Sequence, residues 1–552
     1  MKENCILRFV NKKYIFAGIC FALIGAQLFS QNNSSQDSQI ELPDLTTVVS
    51  GGDGQLDFAP PPDFDDVLDM PYNSGDLVPV LPVISVNDEN DVDSIDAQNS
   101  QKDIYAEGKI GGGYPASFIG DFQIARLYGA DPFKISFTHD SASGFAGHKL
   151  ADGYNTSNTA IGVEKEFLRH DIRWGLSASY EDLKNGFQRK AEGFAANNQD
   201  SVGVAANFLW NLPKNFELAF DVDGEFYYRF PDITKNNTPE FVVPTWIKST
   251  SRVTANPDLK VSWSKDGFEI GFNSQYNLEA WNAVSNRGQF DLDFAWQNQR
   301  IKLFAQAGLV AGNYIGKNTV IVPFTVGLDS LLPVYFSDRK LNLSLKGGLL
   351  SERATTSQLE REYKFSGLEQ FVTETSDWYG ALNILVPLKS SFTGNIAAGY
   401  YRTAFGNGVW TPDYSTGNLV CGLYGFSAKE RNEFFTDFSF TWKYKVFAIT
   451  AKYHANWLEI PVLENKHIIS VNLALQSQKG LWGASLDTSY LLDSKDVKPI
   501  INLEGYVQAT SAVRVVLSAN DLLKLLGAEE RIYAGQYVGN SGNAMLLVKF
   551  LF

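Results

Sequence analysis

Long apolar runs are nearly missing from this 552-residue chain, and cysteine, histidine and methionine are scarce. A single stretch, Tyr14 to Phe29, is apolar enough to suggest a membrane helix, and it lies at the extreme N-terminus. Lys2, Arg8, Lys12 and Lys13 flank it, and Ala26, Ser30 and Gln31 follow. That order predicts a secretory signal peptide over residues 1–30 rather than an anchor helix, which needs roughly 20 apolar residues. Cys20 follows the bulky Ile19, where lipoprotein processing requires a small residue.

The three cysteines are Cys5, Cys20 and Cys421. The first two leave with the signal, so no internal disulfide and no pair with metal spacing remains. Cys421 reads as a small apolar filler. The five histidines, His139, His148, His170, His454 and His467, form no H-E-x-x-H pair. His139 and His148 fall at or in one predicted loop and read as solvated. G-x-S-x-G is absent. S-x-x-K occurs as Ser262 to Lys265 and Ser337 to Lys340, both at predicted turns, and the glycines 111–113 precede no helix that would cradle a phosphate. These absences predict no catalytic group, no metal site, no cofactor and no enzyme. There is also no basic stripe for nucleic acid.

What charge there is sits unevenly. Residues 31–103 hold sixteen Asp or Glu against Lys102 alone, whereas residues 104–552 carry a net charge of only −3. The acidic segment, with Ala59-Pro60-Pro61-Pro62 and no sustained period, predicts disorder. As a flexible coil it would span roughly 45–50 Å.

From Ile104 onward apolar and polar residues alternate in segments of about ten residues. Phe133, Ile135 and Phe137 alternate with Lys134, Ser136 and Thr138. Phe216, Leu218, Phe220, Val222, Gly224, Phe226, Tyr228 and Phe230 alternate with Glu217, Ala219, Asp221, Asp223, Glu225, Tyr227 and Arg229. Successive strand side chains face opposite ways, so each segment has one face for hydrocarbon and one for water. A soluble sandwich alternates too. The segment length suits a tilted crossing, aromatics gather near segment ends, and an export signal precedes them all. An open sheet edge cannot be satisfied in lipid, so the sheet must close. The expected fold is therefore all-β, a transmembrane antiparallel β-barrel over 104–552.

Twenty-three candidate strands appear, but single-chain barrels of this kind have an even number. Short connections are read around 128–131, 168–170, 212–214, 264–266, 298–300, 337–340, 387–390, 443–445, 477–479 and 508–510. Long ones are read at 141–157, 182–199, 231–249, 280–287, 312–318, 350–373, 456–466, 492–498 and 521–542. The two kinds alternate if 417–426 is absorbed into one loop, 402–431. That leaves about 22 strands, within a range of 18–22.

The chain ends on a strand with Leu546, Val548, Phe550 and Phe552 on one face. Such an end resembles the signal that barrel-assembly machinery recognises. Val513 to Leu523, with Asn520-Asp521-Leu522 after a strand, resembles the penultimate strand and turn of TonB-dependent receptor barrels. Tyr533 to Gly542 is similar to the loop before their final strand, and Gly111-Gly112-Gly113-Tyr114 with Phe133 to Ser143 to an early part. The resemblance implies an outer-membrane location with the N-terminal segment in the periplasm. Those receptors carry a folded plug of well over a hundred residues, longer than the acidic segment here. Leu45 to Gly51, with Thr46, Thr47, Val48 and Val49, looks like a TonB box, a peptide that pairs with a partner's sheet edge.

Inward positions supply candidate pore-lining residues: Asp221, Asp223, Glu225, Glu269, Asp291 and Asp293 on neighbouring strands, then Lys302, Lys346, Lys443, Lys452 and Arg514. The expectation is an acidic wall facing a basic one. A 22-strand ring needs filling, and the loops 350–373 and 402–431 are best placed by length to fold inward. The function read from these features is a channel or transporter-like barrel for small solutes, with outer-membrane lipids, the assembly machinery and a TonB-like or other periplasmic partner. The alternative is an anchor whose acidic tail recruits a periplasmic partner.

Overall fold

The computed structural model describes residues 104–551, apart from 127–130, 146, 234–246, 248, 315–316, 335–336, 390, 407, 459–465, 493–497 and 529. The signal sequence, the acidic segment, the TonB-box-like peptide and Phe552 lie outside the described residues.

The alternating segments pair in chain order into one antiparallel sheet. β1 (Tyr105–Tyr114), β2 (Ala116–Arg126), β3 (Phe133–Ser143), β4 (Asn155–Arg169), β5 (Ile172–Gly186) and β6 (Phe194–Leu212) come first. β7 (Phe216–Ile233), β8 (Thr250–Lys265), β9 (Phe268–Ala280), β10 (Val284–Gln297) and β11 (Ile301–Tyr314) follow. β12 consists of two pieces, Lys317–Ile321 and Phe324–Val334, broken at Val322-Pro323 and both paired to β11. Then come β13 (Ser337–Glu352), β14 (Thr375–Lys389), β15 (Phe392–Gly406), β16 (Asn432–Tyr444) and β17 (Phe447–Asn456). β18 (His467–Gln476), β19 (Trp482–Leu491), β20 (Ile500–Gln508), β21 (Val513–Asn520) and β22 (Asn543–Leu551) complete the set. β1 pairs with both β2 and β22, so the ring of 22 strands closes. Glycine makes this seam close: a Cβ on Gly111 or Gly113 would run into the backbone of Leu546 or Ala544 on β22.

The exposed side chains explain why the ring stands in a membrane. Leu292, Leu517 and Leu546 are each more than half exposed, as are Phe290, Leu345 and Val204. They belong to an apolar outer face that runs from strand to strand, far beyond the patches a soluble protein shows. Trp174, Trp210, Phe216, Phe268 and Trp482 are exposed near one end of their strands, and Tyr180, Phe226, Trp378, Tyr400 and Phe434 near the other. Phe216 and Phe226 on β7 are ten residues apart, about 33 Å along the strand and about 25 Å along the axis at a tilt near 40°. That is the height of the hydrocarbon band of such barrels.

Tight turns join the strands at one end, among them 170–171, 213–215, 266–267 and 445–446, and long connections join them at the other, chiefly 144–154, 353–374, 407–431 and 521–542. The connections fall where the alternation places them, within a few residues, but 280–287 and 312–318, expected to be long, shrink to 281–283 and 315–316, because the strands on either side run on beyond the membrane band. The stretch 417–426 absorbed into the loop holds Leu419–Val420 and the start of Leu423–Lys429, which pair only with each other and with other loop segments. Two local expectations change. His139 lies within β3, bonded to Thr159 Oγ1 at 2.8 Å, and only His148 is in the loop. Both S-x-x-K stretches lie at strand ends instead of turns, because β8 runs to Lys265 and β13 begins at Ser337.

Candidate functional site

A ring of 22 strands spaced by about 4.8 Å and tilted near 40° is roughly 40–45 Å across, so what occupies its mouth decides what passes. The connection 353–374 between β13 and β14 carries a short helix, α1 (Thr356–Glu362). Thr355 caps it and Gln358 returns the bond to the Thr355 backbone, so the loop is shaped locally before it packs. The helix turns Glu360 against the wall. Glu360 accepts from Tyr227 Oη (2.8 Å), Arg229 Nε (2.8 Å) and the Leu368 amide (2.7 Å), and neither Glu360 nor Arg229 retains accessible surface. Such a pair is tolerable in a dry place only because several donors share the charge.

Neighbouring residues repeat the attachment. Ser357 and Arg361 both reach Glu225, and Arg361 also pairs with Glu181 at 3.2 Å. Gln199 on β6 donates to the Glu360 carbonyl at 2.8 Å, and Asn197 to that of Lys364 at 3.2 Å. On the opposite flank Arg287 holds both oxygens of Glu374 (2.9 and 3.1 Å), and Ser351 donates to the same carboxylate. Arg252 pairs with Glu279 at 3.8 Å and lies over the rings of Trp281 (4.0 Å) and Phe371 (5.5 Å). The loop is thus fastened to the inward rows of β5 through β10 by polar contacts.

Its other face is apolar. Leu359, Tyr363, Leu368 and Val372 pack with Trp410 from 407–431. Phe365 joins a second cluster with Phe187, Phe194, Leu423, Tyr424, Ala534 and Tyr537. Phe365 stacks on Tyr537 at 3.7 Å, Tyr537 donates to the Gly422 carbonyl at 2.7 Å, and Gln188 exchanges two 2.9 Å bonds with Val538. Burial pushes the Tyr537 phenol well above its ordinary value and raises Tyr424 and the Cys421 thiol, so all three remain protonated. Cys421 packs against this cluster, as a small apolar residue should. The loops in this core leave the ring between β5 and β6, β13 and β14, β15 and β16, and β21 and β22. Loops from sectors that far apart meet only over the axis. They meet across the mouth.

The structure places the eleven candidate pore residues opposite the exposed apolar rows. Asp221, Asp223, Glu225, Glu269, Asp291 and Asp293 stand on β7, β9 and β10, and Asp258 on the intervening β8 faces both Asp221 and Gln275. Lys443, Lys452 and Arg514 lie on β16, β17 and β21, across the ring. The expected opposition fails for the other two. Lys302 on β11 adjoins the acidic sector, and Lys346 on β13 is three strands from it, because the ring curves too little over so few strands. Lys260 on β8 stands inside the acidic sector. Glu225 is spent on docking the loop. Neutralising Asp221, Asp223, Glu269 and Asp293 together should therefore shift reversal potentials away from cations with the loop still docked, whereas unchanged potentials would remove these residues from the pathway.

The residues that hold the closure, Tyr227, Arg229, Arg252, Gln199 and Glu360, are absent from the sequence-derived candidates. A signal existed. The inward row of β7 changes from acids to Tyr227 and Arg229, and Thr355-x-x-Gln358 is a helix-start pattern inside a long loop. Among the described residues no group of three or more His, Cys, Asp or Glu is placed to hold a metal ion.

No family model matches the chain, and no curated protein matches it. Solved structures do. The FrpB iron transporter from Neisseria meningitidis (F5-1 variant) superposes with a TM-score of 0.61 at 7% identity, covering 82% of each chain. The copper transporter OprC gives 0.60 at 10% identity over 81% of this chain and 80% of its own. A mutant of the ferric enterobactin receptor PfeA from Pseudomonas aeruginosa gives 0.57 at 8% identity, covering 82% and 80%. The chain has the fold of a TonB-dependent receptor barrel. At such identities the likeness extends to the fold alone, and the side chains that close this barrel must be argued from its own geometry.

Proposed function

We propose that this barrel is an outer-membrane transporter for small solutes whose mouth is closed by its own loops. One observation carries the reading: a 22-strand ring with a charged, amide-rich inner face is shut by loops fastened through ion pairs instead of a continuous apolar core. An anchor needs neither so wide a ring nor so polar an inner wall. Polar docking suits a part that must leave its seat, since water can solvate both surfaces afterwards. Iron, copper and ferric enterobactin appear in the names of the structures it resembles, which supports transport without naming this chain's cargo. In this reading the chain is not an enzyme, and the long loops face outward.

The short turns and both strand termini face the periplasm, and residues 31–103 extend there from the signal cleavage site. Thr46, Thr47, Val48 and Val49 then offer an extended peptide to a TonB-like partner's sheet edge. Leu546, Val548 and Phe550 present an apolar row on β22 to the assembly machinery and the surrounding lipids.

Solute entry into proteoliposomes tests this. The full chain should pass small solutes slowly, and removal of 31–103, a flexible coil long enough to obstruct the periplasmic opening, should leave the ring folded and raise the rate. No entry in either form would overturn the transport reading, and a shortened chain that fails to fold would overturn the view of 31–103 as a tether. Selective capture of a periplasmic protein by the 31–103 peptide, with no solute entry, would favour the anchor instead.

A further inference from the structure

Next to the docked loop, on the β9 to β12 side, lies a cavity of about 540 Å³, within the range of about 300–1,000 Å³ typical of small-molecule sites. Gln275, Gln289 and Gln306 from three successive strands line it, with Asp291, Thr325 and, from α1, Gln358. Arg287, Arg353 and Arg431 border it, but the wall already engages all three. Arg287 bonds Glu374, the Ser351 carbonyl (3.0 Å) and Gln289 Oε1 (2.6 Å). Arg431 pairs with Glu433 (2.7 Å) and Asp377 (3.5 Å), and Arg353 reaches Ser285 Oγ (2.7 Å) and Asn277. An anionic ligand would have to compete for each of them.

Asp291 and Glu352 also line the cavity, and its remaining polar side chains are neutral amides and hydroxyls. Gln289 is oriented by its neighbours, its Oε1 towards Arg287 and its Nε2 donating to Asp291 at 2.6 Å. Gln275 donates from Nε2 to Asp258 at 3.1 Å, which leaves its carbonyl oxygen open to a donor. Asp258 and Asn273 stand behind this wall, outside the cavity's lining, so the open groups that face the cavity belong to the glutamines. A ligand that brings hydroxyl groups can donate to the Gln275 carbonyl and accept from the second hydrogen of each amide. We infer that this cavity binds an uncharged polyhydroxylated solute, a mono- or disaccharide, on the wall formed by Gln275, Gln289 and Gln306. This deepens the transport reading and rests on it for its purpose, although binding itself does not require transport.

The experiment uses the full chain in detergent, titrated by calorimetry with glucose, maltose, glucose 6-phosphate and glucosamine. At least one neutral sugar should bind saturably at millimolar concentration or below, and more tightly than both charged compounds. Gln275→Leu and Gln306→Leu should each weaken it about tenfold or more, because a site built to bond hydroxyls is left with buried groups unmet. Both variants must retain the folded band on unheated gels, and two positions keep the test decisive if one fails to fold. No saturable neutral-sugar binding, preference for a charged compound, or unchanged affinity in the folded variants each overturns the inference. Potassium chloride conductance, measured without sugar, separates the two readings. Conductance without sugar binding removes the sugar site alone, and sugar binding without conductance or solute entry removes the transport reading alone.

Discussion

Glu360→Ala is expected to open the mouth while the strand ring stays folded. The carboxylate meets Arg229 Nε, Tyr227 Oη and the Leu368 amide at 2.7–2.8 Å. Removing it strands a fully buried guanidinium, at a cost of roughly 3–5 kcal/mol. That cost can be relieved in two ways. Unfolding the ring would sacrifice the hydrogen bonds of 22 strands, whereas undocking 353–374 exposes Arg229 to water and loses only the loop's own contacts. Local opening is the cheaper route. Planar-bilayer conductance should rise severalfold, and trypsin should cut at Arg361 or Lys364 in a chain that still migrates as folded. Glu360→Gln preserves shape and part of the bonding, so its effect should be smaller. Unchanged conductance together with full protease resistance in Glu360→Ala would show that the buried pair does not hold the closure.

Excising 354–373, with a short Gly-Ser link from Arg353 to Glu374, should have the largest effect of any single change. It removes Leu359, Tyr363, Leu368 and Val372 from one apolar cluster and Phe365 from the other. Trp410, Phe187 and Tyr537 then lose their packing partners across the mouth, so 407–431 and 521–542 should loosen as well. A ring roughly 40–45 Å across without its central loop should conduct about tenfold more than the full chain or better. The strands need nothing from this loop, since β13 and β14 pair directly from Asn342 to Glu352, and the folded band should persist. If the excised chain conducts no better, the closure resides in the remaining loops or in residues 31–103.

These expectations also show why the wall was more legible than the site. Strand alternation is a local property. Whether Phe220 faces lipid and Asp221 the interior follows from two adjacent residues and the pleat, and closure follows from the cost of an open edge in hydrocarbon. The longest connections, 353–374 and 521–542 among them, stand out by length alone. Docking of the central loop rests on contacts between residues far apart in the chain, Glu360 with Arg229 and Phe365 with Tyr537, and no period in the sequence links them. A lone Glu in a polar loop and a lone Arg in an inward row each look like solvated surface until the fold brings them together. Lys302 and Lys346 illustrate the converse. Their inward direction is local and correctly read, but whether they oppose the acids depends on the angle the ring subtends between β10 and β13.

Residue order by itself determined the strand-built character of this protein, the closed wall, the strand number and which side chains of a strand share a face, because nearest-neighbour geometry and the solvent on each face decide them. Only the tertiary structure decided that loops from separate sectors meet across the mouth, that Glu225 docks the central loop, and that an amide-lined cavity lies beside it. Those facts depend on where a ring of 22 strands carries distant loops, and on which charges lose their water when the loops meet.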